Sequence, residues 1–222
     1  MTSIPLTILD NFLPNPISVK EFGLNAEYQE TPESYFPGVR TKCLSEIHFP
    51  FYNIINKKVL SLFFENANKL NFQSKLYFQK IQNYKGSGWV HMDQNVFTYI
   101  IYLTESSLNC GTSFYELKED MIYPFRNSDE HNFYLDKRKH YKNKSYSKED
   151  KQKKEFIETN NFTQVLDIKD KFNRLVCFPA EMFHSSNILG DGDSIRLTLI
   201  GFITHIDSSN LPLLRTQQIT QF

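Results

Sequence analysis

His91 and Asp93 lie two residues apart in GWVHMD (88–93), just ahead of the longest β-type run in the chain. A strand projects residues i and i+2 to one face, so this spacing can aim an imidazole and a carboxylate at a common point. A second histidine from a neighbouring strand would complete a two-histidine, one-carboxylate set. Such a set holds Fe(II) by three ligands and leaves the opposite side open for other molecules. The H-x-D spacing is short enough to arise by chance, and the chain carries a second one, His205-Ile-Asp207.

The residues downstream of each motif separate the two. After His91 comes an apolar strand pattern that leads through Phe178-Pro179 to His184, within RLVCFPAEMFHSSN (174–187). Twelve residues later Arg196 opens the last strand-like run, with Thr198 on the same face. A guanidinium there can take a carboxylate bidentately, the threonine hydroxyl adding a hydrogen bond. His205 has no histidine after it, and only 15 residues follow Asp207, so this pair is expected on the surface or in a loop.

The elements that must position these groups are legible in outline. A short strand is expected over 4–9, a helix over 17–28 capped by Ser18 with Glu21 at the capping-box position, and a loop over 31–40. Ile55, Val59, Leu62, Phe63, Ala67 and Leu70 recur at helical spacing, which predicts a helix over 53–70. From Leu76 the pattern turns to strands: 76–82, 96–103, 112–117, 164–168, 174–178 and 195–203. Gly and Asx clusters punctuate them. Helices followed by short strands predict an α+β, mainly β fold closing into a sandwich or barrel.

With these residues in place the chain resembles the Fe(II)/2-oxoglutarate-dependent oxygenases, in particular their prolyl-4-hydroxylase-like branch. The resemblance runs from about Gln79 to Ile203, outside the 118–160 insert, through Y-x-G-x-G-W-x-H-x-D (84–93), Y-L-T (102–104), G-T-S-F (111–114), F-P-A-E-x-x-H (178–184) and R-x-T (196–198). It implies a double-stranded β-helix, or jelly-roll, core with N-terminal supporting helices, in one domain: support over 1–75, core over 76–205. It also implies that His91, Asp93 and His184 hold Fe(II), that Arg196 pairs with the far carboxylate of the co-substrate 2-oxoglutarate, and that Tyr102, Tyr84 and Thr198 line the same pocket. The implied reaction consumes O2 and hydroxylates a peptidyl or amino-acid-like substrate, releasing succinate and CO2. The carboxylate at Asp93 favours hydroxylation over halogenation. Cys110-Gly111 replaces the Gly-Gly usual at that turn.

Composition narrows the alternatives. A chain of 222 residues with 25 acidic and 25 basic side chains gives no global electrostatic case for nucleic-acid or membrane partners. Its 15% aromatic content favours thick β packing. Cys43, Cys110 and Cys177 lack CxxC spacing and are expected to be reduced thiols, and the N-terminus lacks the pattern of a signal peptide. Together these suggest a soluble, cytoplasmic protein. Residues 137–154 hold nine Lys/Arg against two acids, leaving 16 basic and 23 acidic residues elsewhere. This basic insert is expected to be a solvated loop or exposed helix, with a lid or anion-docking surface as the sharper alternative. Trp89 is expected to pack, with substrate recognition as the alternative; Arg40 to brace its loop, with reach to a substrate as the alternative; and Asp191 and Asp193 to belong to a Gly-Asp hairpin rather than a calcium loop. Two other functions compete: a non-catalytic jelly-roll interaction module, and a nucleic-acid-directed oxygenase using the basic insert.

Overall fold

The structure, a computed structural model, describes residues 4–29, 36–82, 86–105, 108–118, 129, 132–133, 147–190 and 194–208. Among the described residues, ten strands form two antiparallel sheets. In chain order the elements are β1 (Thr7–Leu9), α1 (Pro16–Asn25), β2 (Tyr28–Gln29), β3 (Val39–Thr41), α2 (Leu44–Ile47), α3 (Phe49–Leu60), β4 (Asn71–Ile81), β5 (Phe97–Tyr102), β6 (Thr112–Leu117), α4 (Lys148–Asn161), β7 (Phe162–Ile168), β8 (Leu175–Pro179), β9 (Phe183–Ser186) and β10 (Arg196–Asp207). The larger sheet runs β1-β8-β5-β10-β4-β3-β2 and the smaller β7-β6-β9. This is the expected mainly-β jelly roll, with helices against one sheet.

Strand β5 explains why both faces of the large sheet are apolar. All six of its residues are buried, as expected of a strand covered on both sides. Phe97, Tyr99 and Ile101 join Leu76, Phe78, Leu197 and Leu199 in a core that continues into Ile55, Val59 and Leu60 of α3. The alternate residues Ile100 and Tyr102 point between the sheets, where they meet Phe114, Val176 and Phe178. Helices α1 to α3 thus back the large sheet, and the interior between the sheets is left for the site.

Several local expectations are corrected. Helix α1 begins at Pro16 behind Asn15, which makes no side-chain cap, so Ser18 is not the cap. A proline at the first helical position supplies the start instead. The 53–70 helix is α3 ending at Leu60, then turns and a 3-10 segment, Ala67–Lys69. Tight bonds from Leu62 N–H to the Val59 carbonyl and Phe63 N–H to the Leu60 carbonyl begin that change. Buried Phe63, Phe64 and Ala67 keep the apolar spacing through it. The N-terminal third also supplies β1, β2 and β3 to the large sheet. His205 and Asp207 lie exposed on β10, beyond a bulge after Ile203. The surface placement holds, but on a strand and not in a loop.

Within the insert, residues 148–160 belong to α4. Ser147 Oγ accepts from Asp150 N–H at 3.0 Å while Ser147 N–H donates to Asp150 Oδ2 at 3.1 Å, a reciprocal capping box. Ile157 is fully buried against Trp89, Ile81 and Leu189, so this helix is docked on the body along one side. Asp191 and Asp193 lie outside the described residues. Cys43, Cys110 and Cys177 are free thiols. Among the described residues no helix is long and apolar enough to cross a membrane.

Candidate metal centre

Two backbone elements deliver the site. Strand β9 pairs with β6, placing His184 opposite Phe114, and the segment before β5 forms a single bridge to it at His91. His91 N–H donates to the His184 carbonyl at 3.0 Å and His184 N–H to the His91 carbonyl at 2.8 Å. Asp93 N–H is fixed by the Ala180 carbonyl at 2.9 Å. The 91–184 pairing spans the interval between the two sequence motifs.

The side chains converge. His91, Asp93 and His184 each present one donor atom, all within 4.8 Å of one another. The Nε2 atoms of His91 and His184 lie 3.8 and 3.6 Å from the two Asp93 oxygens. Each imidazole uses Nδ1 on the carbonyl two residues before it: His91 on Trp89 at 2.7 Å, His184 on Met182 at 2.9 Å. A carbonyl can only accept, so Nδ1 carries the proton and, in the neutral ring, Nε2 keeps its lone pair. Two imidazole lone pairs and a carboxylate then face one another, an arrangement that a cation among them relieves. Two imidazoles and one carboxylate suit a divalent transition metal such as Fe(II).

Asp93 is itself oriented. Thr98 Oγ1 donates to Asp93 Oδ2 at 2.5 Å and accepts from Asn95 Nδ2 at 3.0 Å. Loss of such an outer partner costs about 10–100-fold in metal affinity. Thr98→Val, which keeps the shape, should therefore weaken Ni(II) binding by about tenfold in calorimetry. An unchanged affinity would show that the hydroxyl does not orient the carboxylate.

The helix of the insert reaches the same segment. Val90 N–H, next to His91, donates to Glu158 Oε1 of α4 at 3.1 Å. Lys154 Nζ pairs with Glu158 Oε2 at 2.8 Å and donates to Ser87 Oγ at 3.0 Å. Trp89, whose carbonyl holds the His91 ring, is 2% exposed. The expected packing role for Trp89 thus extends to the candidate metal centre.

A cavity of about 190 Å³ opens on the triad, its wall including Arg40, Gln79, Thr98, Thr112, Ile200 and Phe202. Arg196, Thr198 and Tyr102 lie between the sheets, deeper along the strands, and are not on that wall. Thr198 pairs in register with Tyr102 on one side and Gln79 on the other. Arg196 is 7% exposed, donates from Nε to the Cys110 carbonyl at 2.9 Å, and sits 5.6 Å from the Tyr102 ring centroid. The Tyr102 hydroxyl meets Thr112 Oγ1 at 2.7 Å, so Thr112 links the cavity wall to this layer. Burial pushes the Tyr102 phenol up from its ordinary pKa, against the pull of the Arg196 charge, and keeps it protonated at neutral pH. Tyr84 lies outside the described residues.

Sequence reasoning passed over Thr98, Gln79 and Glu158, and it set Arg40 first to bracing its loop, with reach to a substrate as the alternative. Thr98 carried a usable signal: it shares the inward face of β5 with Ile100 and Tyr102, just after the ligand motif. Glu158 carried none, since its partner is 68 residues away across the insert.

The two facing antiparallel sheets, with the H-x-D segment bridged to a later histidine, form a jelly roll that solved structures share. The chain belongs to the DUF6445 family, a family of unknown function, whose sequence model matches residues 1–203. Among solved structures, HygX from Streptomyces hygroscopicus with nickel and 2-oxoglutarate bound aligns with TM-score 0.57 at 9% identity, over 91% of this chain and 84% of that one. SnoN, a non-heme alpha-ketoglutarate-dependent epimerase from nogalamycin biosynthesis, aligns with TM-score 0.53 at 9% identity, over 89% and 76%. A Pseudomonas putida prolyl-4-hydroxylase aligns over 90% and 92% at 13% identity, with TM-score 0.48. No curated protein matches the chain in sequence.

Proposed function

We propose that the protein is an Fe(II)- and 2-oxoglutarate-dependent oxygenase, built as one domain, in which His91, Asp93 and His184 hold the iron. The observation that carries this reading is the convergence of the His91 and His184 Nε2 atoms and the Asp93 carboxylate on a cavity between the sheets. HygX, with nickel and 2-oxoglutarate bound, and the alpha-ketoglutarate-dependent SnoN support it as neighbours in fold. The co-substrate has a fitting anchor as well. Among the described residues no carboxylate pairs with the buried Arg196, whose Nε donates to a neutral carbonyl. A buried cation of this kind is costly without an anion.

Bound at the triad, Fe(II) and 2-oxoglutarate supply the oxidising chemistry: R–H, O2 and 2-oxoglutarate become R–OH, succinate and CO2. The chain's own residues hold and orient. Trp89 and Met182 carbonyls keep the two imidazoles from turning, and Thr98 holds Asp93. Arg196 takes the distal carboxylate of the co-substrate, with Thr198 and Tyr102 beside it. Phe114 and Phe178, 5.0 Å apart edge to face, keep water from beneath His184. The product is a hydroxylated peptidyl or amino-acid-like molecule.

The test is anaerobic titration with Fe(II) and 2-oxoglutarate, followed by O2 and a measurement of succinate. Succinate formation that disappears in His91→Ala and Asp93→Ala is the expected result. A wild type that neither binds iron nor makes succinate would leave the non-catalytic module as the better reading. Arg196→Ala should weaken 2-oxoglutarate by about a hundredfold, the worth of a charge-assisted pair of roughly 3 kcal/mol. Its Ni(II) affinity should stay within about threefold, since Arg196 touches no proposed ligand. Equal loss of both would contradict its role.

A further inference from the structure

The described residues include three arginines, and their surroundings differ. Arg174 forks onto Asp10 at 2.7 and 3.2 Å, the arrangement of a structural brace. Arg196 and Arg40 have no carboxylate at ion-pair distance among the described residues. One distal carboxylate of 2-oxoglutarate answers only one of them.

Arg40 is built into the cavity wall. Strand β3 pairs Arg40 with Gln79 and Val39 with Lys80 of β4. The turn before it depends on Gly38, whose φ is +74° and where a Cβ would lie 2.2 Å from the Lys80 carbonyl oxygen. Arg40 Nε and Nη2 both donate to Gln79 Oε1, at 3.1 and 2.9 Å, and Gln79 Nε2 donates to the Pro37 carbonyl at 2.8 Å. The guanidinium lies over the Phe36 ring at 3.7 Å and near Phe202 at 5.3 Å. A guanidinium has five N–H groups, and these bonds engage only one edge of it.

The charge balance points the same way. Burial pulls the Arg40 pKa down to about 10, against the opposing charge of Asp93. A divalent ion at the triad would neutralise that charge and add its own. Arg40 would then face a positive centre with only a neutral amide as partner. An anion on the cavity side of the guanidinium relieves this, and the aromatic rings around it favour an apolar body attached to that anion.

We propose that Arg40 is the carboxylate subsite for the primary substrate: the cavity takes a small carboxylic acid, its carboxylate on Arg40 and its apolar part along Ile200 and Phe202. This rests on the oxygenase reading for the identity of the second ligand, because Arg196 is assigned there to 2-oxoglutarate. Gln79 presents the guanidinium and is a positioning residue. The assignment narrows the substrate to molecules with a free carboxylate and disfavours an internal residue of a peptide.

The test is calorimetry on protein loaded with Ni(II) and 2-oxoglutarate. The probes are acetate, benzoate, phenylacetate and N-acetyl-L-alanine, each compared with its primary amide. Ni(II) and 2-oxoglutarate binding are measured first, so failure of the oxygenase reading appears there, and the probes are also titrated into metal-free protein. At least one acid should bind the wild type at least tenfold more tightly than its amide, and Arg40→Gln should remove that preference. Gln79→Glu, which keeps the arginine and gives it an internal carboxylate in exchange for the bond to the Pro37 carbonyl, should remove it too. If no acid is preferred over its amide, or if Arg40→Gln weakens 2-oxoglutarate and spares the acids, the proposal is overturned.

Discussion

Asp93→Ala should lower Ni(II) and Fe(II) affinity by two orders of magnitude or more while leaving the metal-free fold nearly as stable as wild type. Four-ligand zinc sites are worth about 10–16 kcal/mol, or roughly 3 kcal/mol per ligand, and each 1.4 kcal/mol is a factor of ten. In the metal-free protein the substitution removes one hydrogen bond, from Thr98, at about 1 kcal/mol. It also relieves the crowding of lone pairs within the triad. Metal calorimetry paired with thermal melts in chelator separates the two effects. A carboxylate that served only the fold would give the opposite pattern, a drop in melting temperature with metal affinity preserved.

Gly111→Ala should do the reverse and damage the fold first. A Cβ at Gly111 would lie 1.8 Å from the Ile168 carbonyl oxygen and 2.8 Å from Asp170 N. Both obstacles are backbone, so no side-chain rotation makes room. The Gly111 carbonyl also accepts from Asn187 N–H at 3.1 Å, one residue beyond β9. Relief of the clash would pull β6 away from β7 and disturb the strand that carries His184. Overpacking without an escape route costs about 3 kcal/mol or more, measurable as a fall in the denaturation midpoint. An alanine variant as stable as wild type would mean that the two strands part easily there. The same contact explains the sequence: in Cys110-Gly111 the second position has to be glycine, while the first carries a buried cysteine.

The sequence carried the centre of the site better than its surroundings. His91 and Asp93 were legible because a strand-like run follows an i, i+2 pair. His184 was legible from the apolar run before it, although the short strand β9 that holds it gave no periodic signal of its own. Four residues are too few to show alternation. Strands β2 and β3 were hidden for the same reason, inside or beside a loop with two prolines and a glycine, and the cavity-wall position of Arg40 was hidden with them. Its partner Gln79 lies 39 residues away, so only the pairing of β3 with β4 turns a loop arginine into part of a cavity wall. The 137–154 charge run was legible as basic. Lys154 turning inward onto Glu158 and Ser87 was not, because that depends on which side of α4 docks.

The two histidines exchange backbone hydrogen bonds in both directions, and this bears on how the centre is loaded. In small zinc modules folding and metal uptake are one event, and a chelator unfolds the protein. Here the ladder joins the two imidazole-bearing segments by backbone bonds that need no ion, so an ion would meet a formed site and could leave it formed. Metals would then exchange on a folded protein, and competition among divalent ions would follow their availability in the surroundings. Occupancy would then be a running equilibrium, renewed throughout the lifetime of each molecule, and not a choice made once at synthesis.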